Sequence, residues 1–353
     1  MRPTVLVTGG AGYIGAHACK ALSAAGFVPV VYDNLSTGHE AAVRWGPFER
    51  GDISDATRLD RVFAEHRPVA VMHFAASSEV GVSVREPLAY YRNNVAGSLT
   101  LIERMIANGV QLLVFSSTCA TYGPPDALPI TEAEPQTPIN PYGHSKLMVE
   151  RMLRDAVDAA GLSSVALRYF NAAGADPEAM IGEDHDPETH LVPLVLQAAR
   201  DPSRSIRVFG TDYPTPDGTC VRDYIHVDDL ASAHVSALNR LLSSRLTGFT
   251  GLNLGTGTGF SVRDIIDVAR RVTGATINAI ETERRSGDPA YLVADPTKAF
   301  AKLDWQPTAS NIEHIIETAW NWMQRQELRK LAVHIRREGS VGGSGACNRL
   351  GTT

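Results

Sequence analysis

Cysteine is scarce in this chain: Cys19, Cys119, Cys220 and Cys347 are the four it has in 353 residues, and they stand too far apart to form a CxxC or a zinc-ligand spacing. A disulfide-built fold of the secreted kind is excluded, and free thiols in a reducing compartment are expected. No apolar run approaches the ~18 residues that a membrane-spanning helix needs, so an integral helical membrane protein is not expected. Excess positive charge is missing as well. The formal net charge is −6, which gives no field to attract nucleic acid or an acidic membrane. Met1-Arg2-Pro3 leads straight into Thr4-Val5-Leu6-Val7, too short a run for a secretory leader and without a cleavage site, so the expected location is the cytoplasm. There are no internal repeats.

What the chain does have is apolar material for a sizeable core, with 44% hydrophobic and 20% charged residues. At roughly 100–200 residues per domain, its length suggests two domains. Short β-rich runs at Val5–Thr8, Val28–Tyr32, Ala70–Phe74, Leu112–Ser116 and Val165–Tyr169 alternate with helical patterns at Ile14–Ala25, Thr57–His66, Leu88–Asn108 and Tyr142–Ala160. That alternation predicts βαβ units and a parallel sheet, and the nearly unbroken apolar runs suit strands buried on both faces. After Asn171 the rhythm loosens. Pro, Gly and Asp crowd 174–188 and 210–218, marking long loops of the sort that carry binding, and helices are expected at Val192–Ala199, Val262–Thr273 and Ile312–Arg325. The expected fold is α/β: a doubly wound parallel sheet over 1–170, with some later segments packing back onto it, and a smaller α/β unit over 171–325. A basic, disordered tail is expected over 326–353, since from Gly339 the chain runs Gly-Ser-Val-Gly-Gly-Ser-Gly-Ala, which cannot bury enough surface to fold.

The first strand runs directly into Thr8-Gly9-Gly10-Ala11-Gly12-Tyr13-Ile14-Gly15. Glycines at 9, 12 and 15 leave no Cβ in the way of a tight turn or of a pyrophosphate approaching the backbone. The helix that follows points unpaired N–H groups and the positive end of its dipole at such an anion. The spacing Gly-x-x-Gly-x-x-Gly is a variant of the dinucleotide fingerprint of Rossmann-type folds. Asp33 ends the second strand 18 residues after Gly15, near the ~20 at which an acid bonds the ribose diol. An acid there repels a 2′-phosphate, so NAD is expected over NADP.

Asn140-Pro141-Tyr142-Gly143-His144-Ser145-Lys146 opens a helix, with Asn140 as N-cap and Pro141 in the first turn. Residues i and i+4 share a helical face, so Tyr142 and Lys146 can point into one cleft. An ammonium beside a phenol lowers the tyrosine pKa and makes it a general base near neutral pH. Thr118, at the end of the strand carrying Phe115-Ser116-Ser117, offers a hydroxyl to the substrate oxygen being deprotonated. Carboxyl ends of parallel strands are where open α/β sheets bind ligands.

With these residues in place, GGAGYIG (9–15), SSTCATYG (116–123) and YGHSK (142–146) resemble the extended short-chain dehydrogenase/reductase superfamily. RYFNAAG (168–174), GEDHDPETHLVP (182–193), FGTDYPTPDGTCVRDYIHVDDLA (209–231) and RRSGDPA (284–290) are similar to the UDP-glucose 4-epimerase family, and the match spans about residues 3–323. The resemblance implies an NAD-binding Rossmann domain, a C-terminal domain for a UDP-sugar, NAD retained through the cycle, and a homodimer. It implies that Tyr142 takes the 4-hydroxyl proton, that Lys146 lowers its pKa and holds the nicotinamide ribose, and that Thr118 bonds the 4-oxygen. Around the cofactor it implies Gly9, Gly12, Tyr13, Ile14, Gly15, Asp33, Asn34 and Phe170, with Asp52 and Ile53 near adenine, and Phe74, Ala75 and Asn93 along the pyrophosphate and ribose. On the sugar-nucleotide side it implies Asn171, His190, Leu191, Phe209, Arg222, Arg285, Asp288 and Leu292. The two arginines suit a diphosphate. Three positions set this chain apart: Thr118 stands where several members have Ser, His190 where some have Asn, and Leu292 at the position that gates pocket size, which leaves N-acetylated sugars open.

Three other readings compete. A nucleotide-sugar dehydratase or decarboxylase carries a carboxylate immediately after the strand-end hydroxyl, whereas Cys119-Ala120-Thr121 follows Thr118 here. A 4-epimerase of UDP-xylose/arabinose, UDP-uronate or UDP-N-acetylhexosamine shares the chemistry, and the sequence does not separate it. A non-catalytic NAD sensor has no need of Thr118, Tyr142 and Lys146 together. Glu183, Asp184, His185, Asp186, Glu188 and His190 crowd one stretch, but a Pro- and Gly-rich loop without helical ligand spacing reads as a solvated acidic loop, and no metal is expected.

Overall fold

In the computed structural model of the chain, residues 2–285 and 288–341 are described, with side chains described as far as Leu328. Seven parallel strands form the main sheet, in the order Phe249–Leu254, Ser163–Tyr169, Leu112–Thr118, Ala70–His73, Thr4–Thr8, Val28–Asp33, Phe48–Arg50. The order reverses between Thr4–Thr8 and Ala70–His73, so a crevice opens there at the carboxyl ends of the strands. Alternation along each strand feeds two cores. Val5 and Val7 pack with helices Tyr13–Ala24 and Val227–Leu242 on one face through Ala18, Leu22, Leu230 and Leu238. Leu6 packs on the other face with Leu59, Leu101, Met105, Val149 and Leu153 from helices Ala56–His66, Ser98–Ala107 and Pro141–Ala160. Both faces are covered, as all-parallel sheets require.

Beyond Asn171 the strand Val221–His226 organises a second sheet: Gly259–Ser261 pairs antiparallel with it, and Asn171–Ala173 and Tyr291–Leu292 pair parallel. Ser205–Phe209 pairs with Asn278–Thr282. Helices Leu191–Arg200, Val262–Thr273 and Ile312–Val341 close a separate core around Val195, Leu196, Ile265, Ile315 and Ile316.

Three elements differ from expectation. The helix expected over Leu88–Asn108 is present and continuous, but it is not regular: Pro87–Tyr90 leads into a wide π-helical stretch, Tyr91–Gly97, before Ser98–Ala107. Such widened turns often serve functional sites. Here it carries Asn94, whose amide takes the Ser77 N–H and donates to Ser145 Oγ at 3.0 Å, tying the loop after the Ala70–His73 strand to the Tyr142 helix. Helix Val227–Leu242 was not foreseen, although Val227, Leu230, Leu238 and Leu241 recur at helical spacing and are buried. Helical backbone also runs past residue 325, to Val341, where a disordered tail was expected; Gln, Glu, Leu, Arg, Lys and Ala there are good helix formers. The remainder of that expectation, 342–353, lies outside the described residues, as does Cys347.

Four buried histidines make stability depend on pH. Burial pushes His17, His226 and His234 down to about 4 and His73 to about 3, so they stay neutral in the fold. Below about pH 6.5 the unfolded chain takes up protons that the native state refuses, so stability falls as pH drops from there toward 4, by about 1.4 kcal/mol per pH unit per histidine. The urea midpoint is expected to be clearly lower at pH 5 than at pH 7, and His234→Gln is expected to reduce that difference. Equal midpoints at the two pH values would contradict neutral burial.

Candidate active site

Gly9 and Gly15 shape the turn after the first strand for steric reasons. Gly9 has φ +73, and a Cβ on it would stand 2.5 Å from the Ala75 backbone nitrogen; one on Gly15 would stand 2.1 Å from the Gly9 carbonyl oxygen. The helix Tyr13–Ala24 begins with no side-chain cap and no acidic residue in its first turn. Its unpaired N–H groups and dipole are therefore left for an anion. Asp33 braces the turn from the neighbouring strand, its carboxylate accepting from the N–H groups of Ala11 at 3.0 Å and Leu35 at 2.8 Å.

The helix Pro141–Ala160 starts as expected, with Asn140 Oδ1 accepting from the Gly143 N–H at 2.8 Å and Pro141 in the first turn. Tyr142 and Lys146 are both buried, and Lys146 Nζ donates to the Ser116 carbonyl at 2.8 Å. Burial alone pushes the lysine down to about 7. The expectation that Lys146 depresses the Tyr142 pKa is not met: burial first, then Tyr169, hold the phenol well above its ordinary value, and the neighbouring Thr118 hydroxyl pulls the other way. A desolvated lysine close to neutrality is a weak source of field.

One residue on the same helical face escaped the sequence reading, though Tyr142-x-x-x-Lys146-x-x-x-Glu150 carries the signal. Glu150 is fully buried and accepts from Ser117 Oγ at 2.6 Å, Arg168 Nε at 2.9 Å and Nη2 at 2.6 Å, and Gln136 Nε2 at 3.1 Å. Arg168 also donates to the Tyr122 hydroxyl at 2.8 Å, which donates to Asn253 Oδ1 at 2.7 Å. The network locks the Tyr142 helix to three strands of the sheet.

A single cleft of about 670 Å³ gathers most of the expected residues. Gly9, Gly12, Tyr13, Ile14, Gly15, Asp33, Asn34, Ile53, Phe74, Ala75, Asn93 and Phe170 line it toward the glycine turn. Thr118, Tyr142, Lys146, Asn171, His190, Arg222, Asp288 and Leu292 line the same cleft, together with the unforeseen Ser77, Ser116, Tyr169, Glu183 and His185. Four expected residues do not line it. Asp52 is turned to Asn34 Nδ2 at 2.8 Å and to Ser54. Leu191 opens its helix and packs on the second core. Phe209 lies under the Arg285 guanidinium, 3.8 Å from ring centroid to Cζ, a cation–π pair that engages both. Arg222 is engaged with the Val221 and Pro289 carbonyls, both at 2.9 Å, and with Asp288 at 3.7 Å.

The loop is solvated in part, as expected, with Asp184, Asp186, Thr189 and His190 exposed, but the side chains of Glu183 and Glu188 are each only 7% exposed, and they converge with His185 and His190. The mismatch arises because the chain folds this loop against Tyr13, His39 and Trp322, contacts that sequence spacing does not reveal.

The profile of the NAD dependent epimerase/dehydratase family matches residues 5–246. The chain belongs to that family. The UDP-glucose 4-epimerase of Rhizobium meliloti (strain 1021) is 54% identical over 322 residues, covering 91% of this chain and 97% of the relative. That of Azospirillum brasilense is 48% identical over 343 residues, covering 97% of each. Among solved structures, UDP-glucose 4-epimerase from Brucella ovis in complex with NAD is 52% identical with a TM-score of 0.87, covering 90% of this chain and 98% of that one. The enzyme from Bifidobacterium longum in complex with NAD⁺ and UDP is 38% identical, TM-score 0.86, covering 91% and 98%. The epimerase family's cofactor suits what is seen here: a Cβ on Gly12 would meet no protein atom closer than 3.4 Å and would stand in the cleft, beside an uncapped helix start free of acidic side chains.

Proposed function

We propose that this chain is an isomerase that interconverts UDP-galactose and UDP-glucose with NAD as a retained cofactor. Gly9, Gly12, Gly15 and the start of the Tyr13–Ala24 helix would hold the pyrophosphate, and Asp33 the adenosine ribose. Bound NAD supplies the acceptor and donor of a hydride at the sugar C4. Tyr142 takes the 4-hydroxyl proton and gives it back to the 4-oxygen after the sugar has turned its other face. Thr118 hydrogen-bonds that oxygen, and Lys146 orients the nicotinamide ribose from the next turn of the helix. The observation that carries the reading is that Tyr142, Lys146 and Thr118 open onto the same cleft as the glycine turn, with Cys119-Ala120-Thr121 rather than a carboxylate following Thr118.

The residues up to 170, with Phe249–Leu254, serve as the NAD domain in this reading, and the smaller sheets carry the UDP-sugar. A homodimer is supported by apolar side chains left exposed on adjacent helices: Leu99 and Ile106, seven residues apart on one helix, and Met148 on the Tyr142 helix. A cytoplasmic location is supported by the free, buried thiols of Cys19, Cys119 and Cys220.

Product analysis tests the activity. Purified protein mixed with UDP-galactose and no added NAD is expected to form UDP-glucose up to an equilibrium mixture. UDP-N-acetylgalactosamine run in parallel reads the pocket at Leu292. No product even with NAD supplied would overturn the substrate assignment.

A further inference from the structure

Two imidazole nitrogens and two carboxylates meet at the edge of the cleft. His185 Nδ1 lies 3.2 Å from Glu183 Oε1 and 3.8 Å from Glu188 Oε2; His190 Nδ1 lies 2.6 Å from Glu183 Oε1 and 3.4 Å from Glu188 Oε1. One ligand atom from each residue falls within 4.8 Å of all the others. Both carboxylates are more than nine-tenths buried, and His185 Nδ1 is itself buried without a hydrogen-bond partner although two carboxylates are in reach. Ligands held about 2.1 Å from a tetrahedral ion are separated from one another by about 3.4 Å; with Oε1 as the Glu188 ligand, the His185–Glu183 and His190–Glu188 contacts have that spacing, and the 2.6 Å His190–Glu183 contact opens on binding.

We propose that Glu183, His185, Glu188 and His190 bind one divalent transition-metal cation of the zinc class, which pins the loop 183–190 beside the cofactor turn. Two carboxylates neutralise the dication. A set of two nitrogens and two oxygens suits zinc and its neighbours, whereas magnesium and calcium take oxygen ligands. The surroundings hold the ligands in place. Glu188 Oε1 accepts from the N–H groups of Thr189 at 2.7 Å and His190 at 2.8 Å, the Glu183 carbonyl accepts from Trp322 Nε1 at 2.9 Å, and the Asp184 carbonyl is 2.9 Å from His39 Nε2. The His185 ring meets Tyr13 edge-on at 6.5 Å between centroids, so the pinned loop touches a residue that lines the cofactor end of the cleft.

The test is spectroscopic and independent of turnover. Full-length protein, stripped with a chelator and dialysed, is titrated with Co²⁺. A visible d–d absorption saturating at one equivalent and displaced by Zn²⁺ is expected. His185→Ala is expected to weaken binding by about 100-fold or more, and Glu183→Gln, which keeps the side-chain volume, to weaken it likewise. His66→Ala, in the other carboxylate–histidine cluster among the described residues (Glu49, Glu65, His66), is expected to leave the band unchanged. The proposal is overturned if wild-type protein binds no Co²⁺, which would mean that the cluster is only a set of imidazolium–carboxylate pairs. It is equally overturned if the band survives both His185→Ala and Glu183→Gln.

Discussion

Tyr142→Phe is expected to cut turnover by about 10²–10⁴-fold, the usual worth of a positioned general base, while NAD stays bound. The phenol is buried where the start of the Pro141–Ala160 helix meets the cleft; burial raises its pKa and Thr118 eases it down. Phenylalanine keeps the ring, so the loss falls on proton transfer. Turnover with UDP-galactose and cofactor released on denaturation, measured on the same preparation, read the two halves of the prediction. Near-normal turnover would remove Tyr142 as the base. An unchanged cellular or binding role with no turnover in either protein would favour a dinucleotide sensor.

The second large effect is on stability. Glu150→Ala is expected to cost about 3–5 kcal/mol, the penalty for leaving one member of a buried ion pair uncompensated. Arg168, only 3% exposed in its side chain, would lose its carboxylate partner at 2.6 Å, and Ser117 and Gln136 would lose an acceptor. The charge cannot escape, since Arg168 is walled in by Tyr122 and Gly251. Denaturant unfolding reads the loss directly. A change under about 1 kcal/mol would place the pair in the class of exposed salt bridges. Because Glu150 is two turns along from Tyr142, a second signature is expected: the surviving folded fraction shows a lowered kcat, which reinstating the acid restores.

What could be read in the sequence was local. Five strands announced themselves as short apolar runs, and the glycine turn and the Tyr142–Lys146 spacing are fixed by residues within one turn of each other. What could not be read depends on partners far along the chain. The strand Phe249–Leu254 contains Gly251 and Asn253, poor strand formers. It belongs in the sheet because a Cβ at Gly251 would stand 2.7 Å from Arg168 Nη2, and because Asn253 bonds Tyr122 and Ile130. Phe209 and Arg285 were expected in the cleft on motif alone, whereas their stacking on each other is a tertiary fact. The buried state of Glu183 and Glu188 is likewise invisible to composition, which reads any crowd of acids as solvated.

The place of Phe249–Leu254 at the edge of the main sheet has a consequence for how the protein is made. The Ser163–Tyr169 strand against which it pairs leaves the ribosome about 80 residues earlier, a delay of roughly 4–16 s at ordinary translation speeds. Throughout that interval the nascent sheet carries an open row of N–H and C=O groups, a template for any other chain nearby. When Phe249–Leu254 arrives it covers the Ser163–Tyr169 strand and takes over the edge position. Truncation before residue 249 would yield an aggregation-prone fragment instead of a free-standing dinucleotide-binding unit.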